Sequence, residues 1–380
     1  MNVALVAPRF PPCFDGVGDH AAHLAEALAR AGHTVTVLSE GRPLPQSAYR
    51  VQSVGDAWST RAVREVHRAV GACGADLLVV EYTPFNFGAA SMAPAVLPRM
   101  ARARGIRAAL IVHEAFHAER AGIRSLAKRR FLEARDRLVL AGADAVCIAN
   151  DALRERIVHE LPALLSRVVT VPIAANIEPS PSQKWLPQTR GRVRLVTFGV
   201  VARRRRLELQ IRALEALVRG GVDAELRVVG RVFDREYAEA CRRLAAELGM
   251  GARVYLLGTL PGEEVSAELL AADLALHTAE EGSIPSSGAL LCLMAHGLPI
   301  VAAATVHDVA PFTLAVRGVA AQAPALAATA ADFLRGALDR AAAGARCREI
   351  YESNYAWREI AERVAALGAT PRSVRYAAGL

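Results

Sequence analysis

Short apolar runs alternate with amphipathic stretches along most of this chain, and that alternation limits the fold more than any other feature. In the first half the apolar runs lie at 2–7, 34–38, 76–81, 107–113, 144–149 and 168–171. Amphipathic stretches fill the gaps, at 19–31, 61–72, 89–104 and 152–160. Strands apolar on both faces, each followed by a crossover helix, predict a parallel sheet covered on both sides. Segment 172–192 then breaks the pattern with Pro172, Pro179, Pro181 and Pro187 and reads as a linker. A second series follows, with strands near 194–199, 224–230, 253–257, 273–277 and 299–303 and helices near 205–218, 235–249, 263–271 and 287–296. Residues 325–364 are mainly helical and the tail 368–380 is peripheral. A chain of 380 residues exceeds one ordinary core. The expected fold class is therefore α/β, with two Rossmann-like domains facing a cleft.

Composition narrows the function classes. Hydrophobic residues at 53% against 22% charged describe a folded chain, not a disordered one. The run Asn2-Val3-Ala4-Leu5-Val6-Ala7 is too short for a span and ends at Pro8, so it reads as a first strand and not as a signal peptide. The cysteines (Cys13, Cys73, Cys147, Cys241, Cys292, Cys347) form no C-x-x-C pair, which fits a reduced, cytoplasmic setting. No His/Asp metal cluster is evident in the sequence, so no metal is expected. The formal charge of +8 admits nucleic acid, an anionic membrane surface or a phosphorylated small substrate. Arginines dispersed over helical segments, without an RNP, zinc-finger or KH signature, speak against nucleic acid. The basic stretch Arg120, Arg124, Lys128-Arg129-Arg130, Arg135 is either a solvated helix face or a peripheral contact with anionic lipid.

Ligands of open parallel sheets bind beyond the carboxyl ends of the strands, so the loops there carry the chemistry. After strand 2–7 come Gly16 and Gly18, just before helix 19–31, where backbone N–H groups and the helix dipole favour an anion. Gly16-x-Gly18-x-x-Ala21 also fits a relaxed dinucleotide fingerprint, with Glu40 as a ribose acid. An intervening proline-rich stretch of the loop weakens that reading. In the second half, Gly199 ends a strand and Arg203-Arg204-Arg205-Arg206 follows; such a turn clamps a diphosphate or is simply a solvated basic turn. Ser286, Ser287 and Gly288 fall at the next helix N-terminus and form a second anion site. Glu281 stands on the loop above them, able to accept from sugar hydroxyls. Cys292 reads as a small hydrophobe.

These residues resemble the retaining glycosyltransferases of family 4, whose two-Rossmann-domain architecture is called GT-B. The resemblance rests on Pro11-Pro12 with Gly16-Val17-Gly18-Asp19-His20, on Ala143-Asp144-Ala145-Val146 through Asn176-Ile177, and on Phe198-Gly199 with its arginine turn. Its most specific stretch is Gly288-Ala289-Leu290-Leu291-Cys292-Leu293-Met294-Ala295-His296-Gly297-Leu298-Pro299. Tyr355-Ala356-Trp357 resembles the family's last helix, which crosses back to the first domain. The resemblance implies an acceptor-side domain at 1–177, a nucleotide-sugar donor domain at 178–355 and a returning helix and tail at 356–380. It implies sugar transfer with retention from a nucleotide diphosphate-sugar co-substrate, no further cofactor, and a small-molecule, glycan or lipid-linked acceptor. On that basis His113 contacts the transferred sugar or acceptor, with Glu281 and Arg205 as the other catalytic candidates. The donor-binding candidates are Gly16, Gly18, Gly199, Arg204, Arg205, Gly282, Ser286, Ser287 and Gly288. The sequence departs from the family at its paired glutamates: the first position is Ile284 and the second, the ribose carboxylate, is Cys292. Val200 stands where the family has arginine and Arg205 where it has lysine. A degenerate transferase acting as a scaffold, and an NAD-type oxidoreductase, remain as alternatives.

Overall fold

A computed structural model describes residues 1–13, 16–55, 58–88, 90–116, 125–180, 183, 185, 191–279, 287–303 and 311–369. The chain forms two compact units, one comprising Met1–Ile173 with the segment from Trp357 onward, the other Ala174–Ala356. No described helix is long and apolar enough to cross a membrane.

The first unit runs β1 (Asn2–Ala7), α1 (Gly16–Arg30), β2 (Thr34–Ser39), β3 (Arg50–Ser53), α2 (Thr60–Ala72), β4 (Leu77–Tyr82), α3 (Ala93–Ala103), β5 (Arg107–Val112), α4 (Leu126–Gly142), β6 (Ala145–Ile148), α5 (Asp151–Glu160) and β7 (Val168–Thr170). Its sheet is wholly parallel, in the order β3-β2-β1-β4-β5-β6-β7. β4 and β5 are buried at every position, which explains why they are apolar apart from Glu81 and Arg107. Ser59, Ser125 and Asn150 cap α2, α4 and α5, each accepting a bond from a first-turn N–H. The strand order reverses between β1 and β4, so the carboxyl ends of these two strands mark the unit's natural binding crevice.

The second unit runs β8 (Val193–Phe198), α6 (Leu207–Arg219), β9 (Ala224–Val229), α7 (Arg235–Glu247), β10 (Val254–Gly258), α8 (Gly262–Leu270), β11 (Leu274–Thr278), α9 (Gly288–Ala295), β12 (Ile300–Ala303), β13 (Arg317–Val319), α10 (Ala323–Leu334) and α11 (Arg340–Asn354). This parallel sheet has the order β10-β9-β8-β11-β12-β13, and its reversal lies between β8 and β11. Both sheets are of the Rossmann kind. The last helix, α12 (Trp357–Ala369), returns to the first unit: its Trp357 ring stacks on His23 of α1, and Arg107 at the start of β5 donates to the Leu367 carbonyl at 3.2 Å.

Three elements escape the apolar pattern. β3 and β13 are short edge strands carrying Arg50, Gln52, Ser53 and Arg317, so no apolar run announces them. α4 is a full helix across the basic stretch. The expectation that this stretch is a uniformly solvated or lipid-facing surface is corrected at Arg135, which is 1% exposed. Its guanidinium donates to the carbonyls of Pro84, Gly88 and Ser91 and so pins the loop after β4. Lys128 and Arg130 are exposed, and Arg129 pairs with Glu133 at 3.0 Å. Arg120 and Arg124 lie outside the described residues.

Candidate active site

In the second unit the reversal between β8 and β11 is occupied by the arginine turn. The four arginines do different things. Arg203 pairs with Asp234 at 3.2 Å and lies over the Tyr237 ring. Arg206 takes left-handed backbone (φ 48) and sits 3.7 Å from Glu208. Arg204 is exposed. Arg205 alone turns inward, its guanidinium 3.5 Å from the Ser287 hydroxyl. The turn is therefore a tight bend, and α6 starts after it, at Leu207.

Two braces hold the bend. The Thr278 hydroxyl, at the end of β11, donates to the Arg205 carbonyl. Gln210 of α6 donates to Thr278 Oγ1 at 2.7 Å and reaches Thr197 Oγ1 at 3.3 Å. Gly199 has φ +124, and a Cβ there would stand 3.2 Å from the Ala289 methyl. Its backbone in turn leaves no room at Gly230, whose added Cβ would lie 2.0 Å from the Gly199 carbonyl. Ser287 is buried and caps α9, accepting from the Leu290 N–H at 3.3 Å. Gly288 is the helix's first residue.

A pocket lined by Phe198, Gly199, Arg205, Gln210, His277 and Thr278 opens beside this bend. Arg205 Nε, Gln210 Oε1 and His277 Nε2 are buried without a hydrogen-bond partner among the described residues. Buried polar atoms are normally bonded, so these three are disposed to meet a polar guest. Burial, reinforced by the Arg205 charge, lowers His277 to about 3 and keeps its imidazole neutral. Burial and the neighbouring Arg204 also lower Arg205, whose charge has no carboxylate partner in any described ion pair. A cation with its Nε unsatisfied beside a helix N-terminus is a setting for an anion.

The first unit holds a second constellation at its own reversal. Glu81, on β4, is fully buried. Its Oε1 lies 3.0 Å from Nδ1 of His20 on α1, and its Oε2 lies 2.6 Å from Nε2 of His113, which follows β5. The two imidazoles meet edge to face, with ring centroids 4.9 Å apart. Burial alone would push the Glu81 carboxyl up; the charge and hydrogen bonds of His20 and His113 outweigh it and hold it at about 2. The ligating atoms of His20, Glu81 and His113 all lie within 4.8 Å of one another, so three groups able to hold a metal ion meet here although the sequence shows no such cluster.

Gly16 and Gly18 lie within the first turn of α1 and not ahead of it. A Cβ on Gly18 would sit 2.8 Å from the Arg9 carbonyl, so this glycine lets the β1 loop pack on the helix. Gly16 faces open space. Glu40, the ribose acid of the dinucleotide reading, stands 3.9 Å from Arg9. Glu281, Gly282 and Ser286 lie outside the described residues, as does Ile284. Cys292 is buried, its Sγ donating to the Ile177 carbonyl at 3.2 Å. Burial, with the Glu178 charge nearby, pushes its thiol far up, which suits a packed hydrophobe and not a nucleophile. Glu81, His20, Gln210, His277 and Thr278 were not singled out from sequence as site residues. An acid and a histidine inside otherwise apolar strands are the signal that points to Glu81 and His277.

Residues 15–174 match the model of the glycosyl transferase 4-like domain, and residues 192–335 that of glycosyl transferases group 1. The chain carries two glycosyltransferase domains in a GT-B fold. Solved structures of this fold resemble it along nearly its whole length. A sucrose-phosphate synthase from Thermosynechococcus elongatus has 17% identity over 97% of this chain and 98% of that one, with a TM-score of 0.65. HepE of Anabaena, in complex with UDP, has 14% identity over 97% and 100% of the chains and a TM-score of 0.69. WaaG, a glycosyltransferase involved in lipopolysaccharide biosynthesis, has 20% identity over 97% and 100% and a TM-score of 0.62. No curated relative matches the sequence. Each of the two glycosyltransferase domains thus gathers polar groups where its sheet reverses: the arginine turn in the group 1 domain, and the His20–Glu81–His113 cluster in the 4-like domain.

Proposed function

We propose that the protein transfers a sugar from a nucleoside diphosphate-sugar to an acceptor, with retention of anomeric configuration. The observation that carries this reading is Arg205, held inward by Thr278 and facing the Ser287-capped start of α9, its own buried Nε, Gln210 Oε1 and His277 Nε2 having no partner among the described residues. A diphosphate would find a bidentate cation and helix N–H groups there. The UDP, UDP-with-glucose and UDP-glucose complexes of HepE support a nucleotide-sugar donor. Gly199, Arg204, Arg205, Ser287 and Gly288 are the proposed donor contacts, with Gly282, Ser286 and Glu281, which lie outside the described residues, and Gly16 and Gly18 as further candidates. His113 is the proposed contact to the transferred sugar or acceptor.

In this reaction the bond from the anomeric carbon to the leaving phosphate oxygen breaks, and a bond to the acceptor oxygen forms on the same face. Arg205 stabilises the charge that develops on the leaving diphosphate. The acceptor hydroxyl gives its proton to a phosphate oxygen of the departing group. No metal is assigned a role.

The acceptor is a small molecule, a glycan or a lipid-linked sugar chain. α4 exposes Leu126, Phe131 and Leu138 beside Lys128 and Arg130, which supports peripheral contact with an anionic membrane. Co-sedimentation with anionic vesicles that fades with salt is the expected outcome for a lipid-linked acceptor.

Thermal unfolding with UDP, GDP, ADP and TDP in turn tests the donor reading. A ligand at 100 times its Kd adds about 2.7 kcal/mol. A shift with one nucleoside diphosphate, lost on Arg205→Ala, supports the transferase and names the base. No shift with any of them, and no sugar transferred, would favour a degenerate homologue retained as a scaffold. NMR of the product reads the anomeric outcome, and inversion would overturn retention.

A further inference from the structure

Glu81 is the least explained charge in the molecule. It is fully buried, and its hydrogen-bonding partners are two imidazoles, His20 at 3.0 Å and His113 at 2.6 Å. A buried ionic cluster of this kind is seldom the most stable way to fill a core, because apolar residues of like volume often do as well or better. The cluster is also shielded. Trp357, the first residue of α12, packs edge-on against His20 with centroids 5.1 Å apart and stacks on His23 at 5.2 Å. Cys147 on β6 feels the same carboxylate: burial and the Glu81 charge push its thiol up to about 12. His113 keeps the most surface of the three, its side chain being 16% exposed against 6% for His20 and none for Glu81.

An ionised carboxylate can only accept hydrogen bonds. Each imidazole must therefore present an N–H to Glu81, which sets the tautomer of both rings. We propose that Glu81 is a positioning residue: one carboxylate, shared by two imidazoles, keeps a proton on His113 Nε2, so that whenever this ring is neutral its Nδ1 is left as an acceptor for a sugar hydroxyl. His20 is the second donor, occupying the other carboxylate oxygen so that Glu81 cannot rotate away from His113. The arrangement follows the logic by which an outer carboxylate orients a working histidine. It rests on the transferase reading only for what His113 meets; the tautomer itself is a property of the first unit alone.

The experiment is nitrogen-15 NMR of the histidine rings in the full-length chain, with hydrolysis of the donor nucleotide-sugar as the activity readout. In the unmodified protein, the neutral His113 ring is expected as the Nε2–H tautomer and the neutral His20 ring as Nδ1–H. In Glu81→Gln the side-chain amide offers one acceptor and one donor, so one of the two rings must change tautomer. Donor hydrolysis is then expected to fall about 100-fold in kcat, with KM and the nucleotide-induced thermal shift unchanged. Glu81→Asp keeps an anionic acceptor and is expected to restore both tautomers. His20→Gln still donates to Glu81 and is expected to leave the His113 tautomer as it was.

A mixed tautomer at His113 in the unmodified protein would overturn the proposal, as would unchanged tautomers in a folded Glu81→Gln variant. Uptake of one equivalent of Zn2+ with metal-type shifts at both rings, abolished in Glu81→Gln, would also overturn it and make the three groups a ligand set. Correct tautomers in a protein that binds no nucleotide would leave Glu81 in its place while removing the transferase reading, so the two failures are distinguishable.

Discussion

The hydroxyl of Thr278 donates to the carbonyl of Arg205, tying the end of β11 to the arginine turn that follows β8. The same oxygen accepts from Gln210 at 2.7 Å, so a single threonine joins strand, turn and helix. Thr278→Val keeps the shape and removes both bonds. It takes the Thr278 donor from the Arg205 carbonyl and leaves the Gln210 amide only its longer bond to Thr197, at a cost of about 1–3 kcal/mol. Urea unfolding checks that figure. The nucleotide-induced thermal shift is expected to shrink as well, because Arg205 loses its fixed carbonyl. A full-sized shift in Thr278→Val would show that the turn holds its shape without the brace.

Acid should unfold the second unit earlier than its carboxylates alone would require. Burial lowers His277 to about 3, with Arg205 adding to the effect, and lowers His296 to about 4. Both folded values lie below the unfolded value, so the unfolded chain takes up the protons first. Stability from each histidine is complete above pH 6.5 and is lost as pH falls toward the folded value. Between pH 6.5 and 5 the loss is about 2 kcal/mol per histidine. Glu81 has the same sign in a lower window: held at about 2, it contributes stability above 4.5 that is lost as pH falls from there toward 2. Urea midpoints from pH 7 to 5 are expected to fall steeply in the unmodified protein and less so in His277→Gln. An identical slope in the two would remove His277 from this account.

Gly230→Ala should be among the most damaging small changes in the chain. Gly230 has φ +144, and its added Cβ would overlap the Gly199 carbonyl at 2.0 Å. The contact is backbone against backbone and cannot be relieved by a side chain turning away. An expected cost of about 3 kcal/mol or more follows. Gly32→Ala offers the comparison: φ is +85 but nothing lies within 4 Å, so the cost should be about 1 kcal/mol. Equal melting temperatures for the two variants would refute the steric argument.

How much of this was legible beforehand follows from burial. Strands such as β4 and β5 are buried on both faces, so they appear in sequence as apolar runs, and the parallel α/β order follows from them. β3 and β13 are polar edges and leave no such trace. Gly199, the arginine turn, Ser287 and Gly288 stand out because each lies at a strand-to-helix junction, which chain order alone places at the carboxyl edge of the sheet. The His20–Glu81–His113 cluster was not, because its members are separated by 61 and 32 residues and meet only when α1, β4 and β5 pack. Residue type alone does not tell which of four consecutive arginines turns inward; only the resemblance, by position, points to Arg205. Which one does so depends on Asp234 and Glu208 engaging Arg203 and Arg206.

Cys292 allows a last test of how far the resemblance to paired-glutamate enzymes carries over. Cys292→Glu would put the family's carboxylate back at its expected position in α9. Here that position is closed: Cys292 is 1% exposed and its Sγ rests 3.2 Å from the Ile177 carbonyl. The next residue, Glu178, accepts from the Tyr351 hydroxyl at 2.6 Å and already projects negative charge toward Cys292. A second carboxylate would meet a carbonyl oxygen, a like charge and insufficient volume, and the nearby His296 already has Nδ1 on the Cys292 carbonyl at 2.7 Å and Nε2 on Ser266 at 2.9 Å. The substitution should therefore destabilise the protein by about 3 kcal/mol or more and should not strengthen nucleotide binding. Cys292→Ala, which removes one sulfur and adds no charge, should cost about 1 kcal/mol. Urea unfolding separates the two variants, and the thermal shift with a nucleoside diphosphate reads binding. Tighter binding in Cys292→Glu with stability intact would mean that the segment around Ile177 yields, and that α9 retains a ribose-binding geometry the cysteine merely leaves empty.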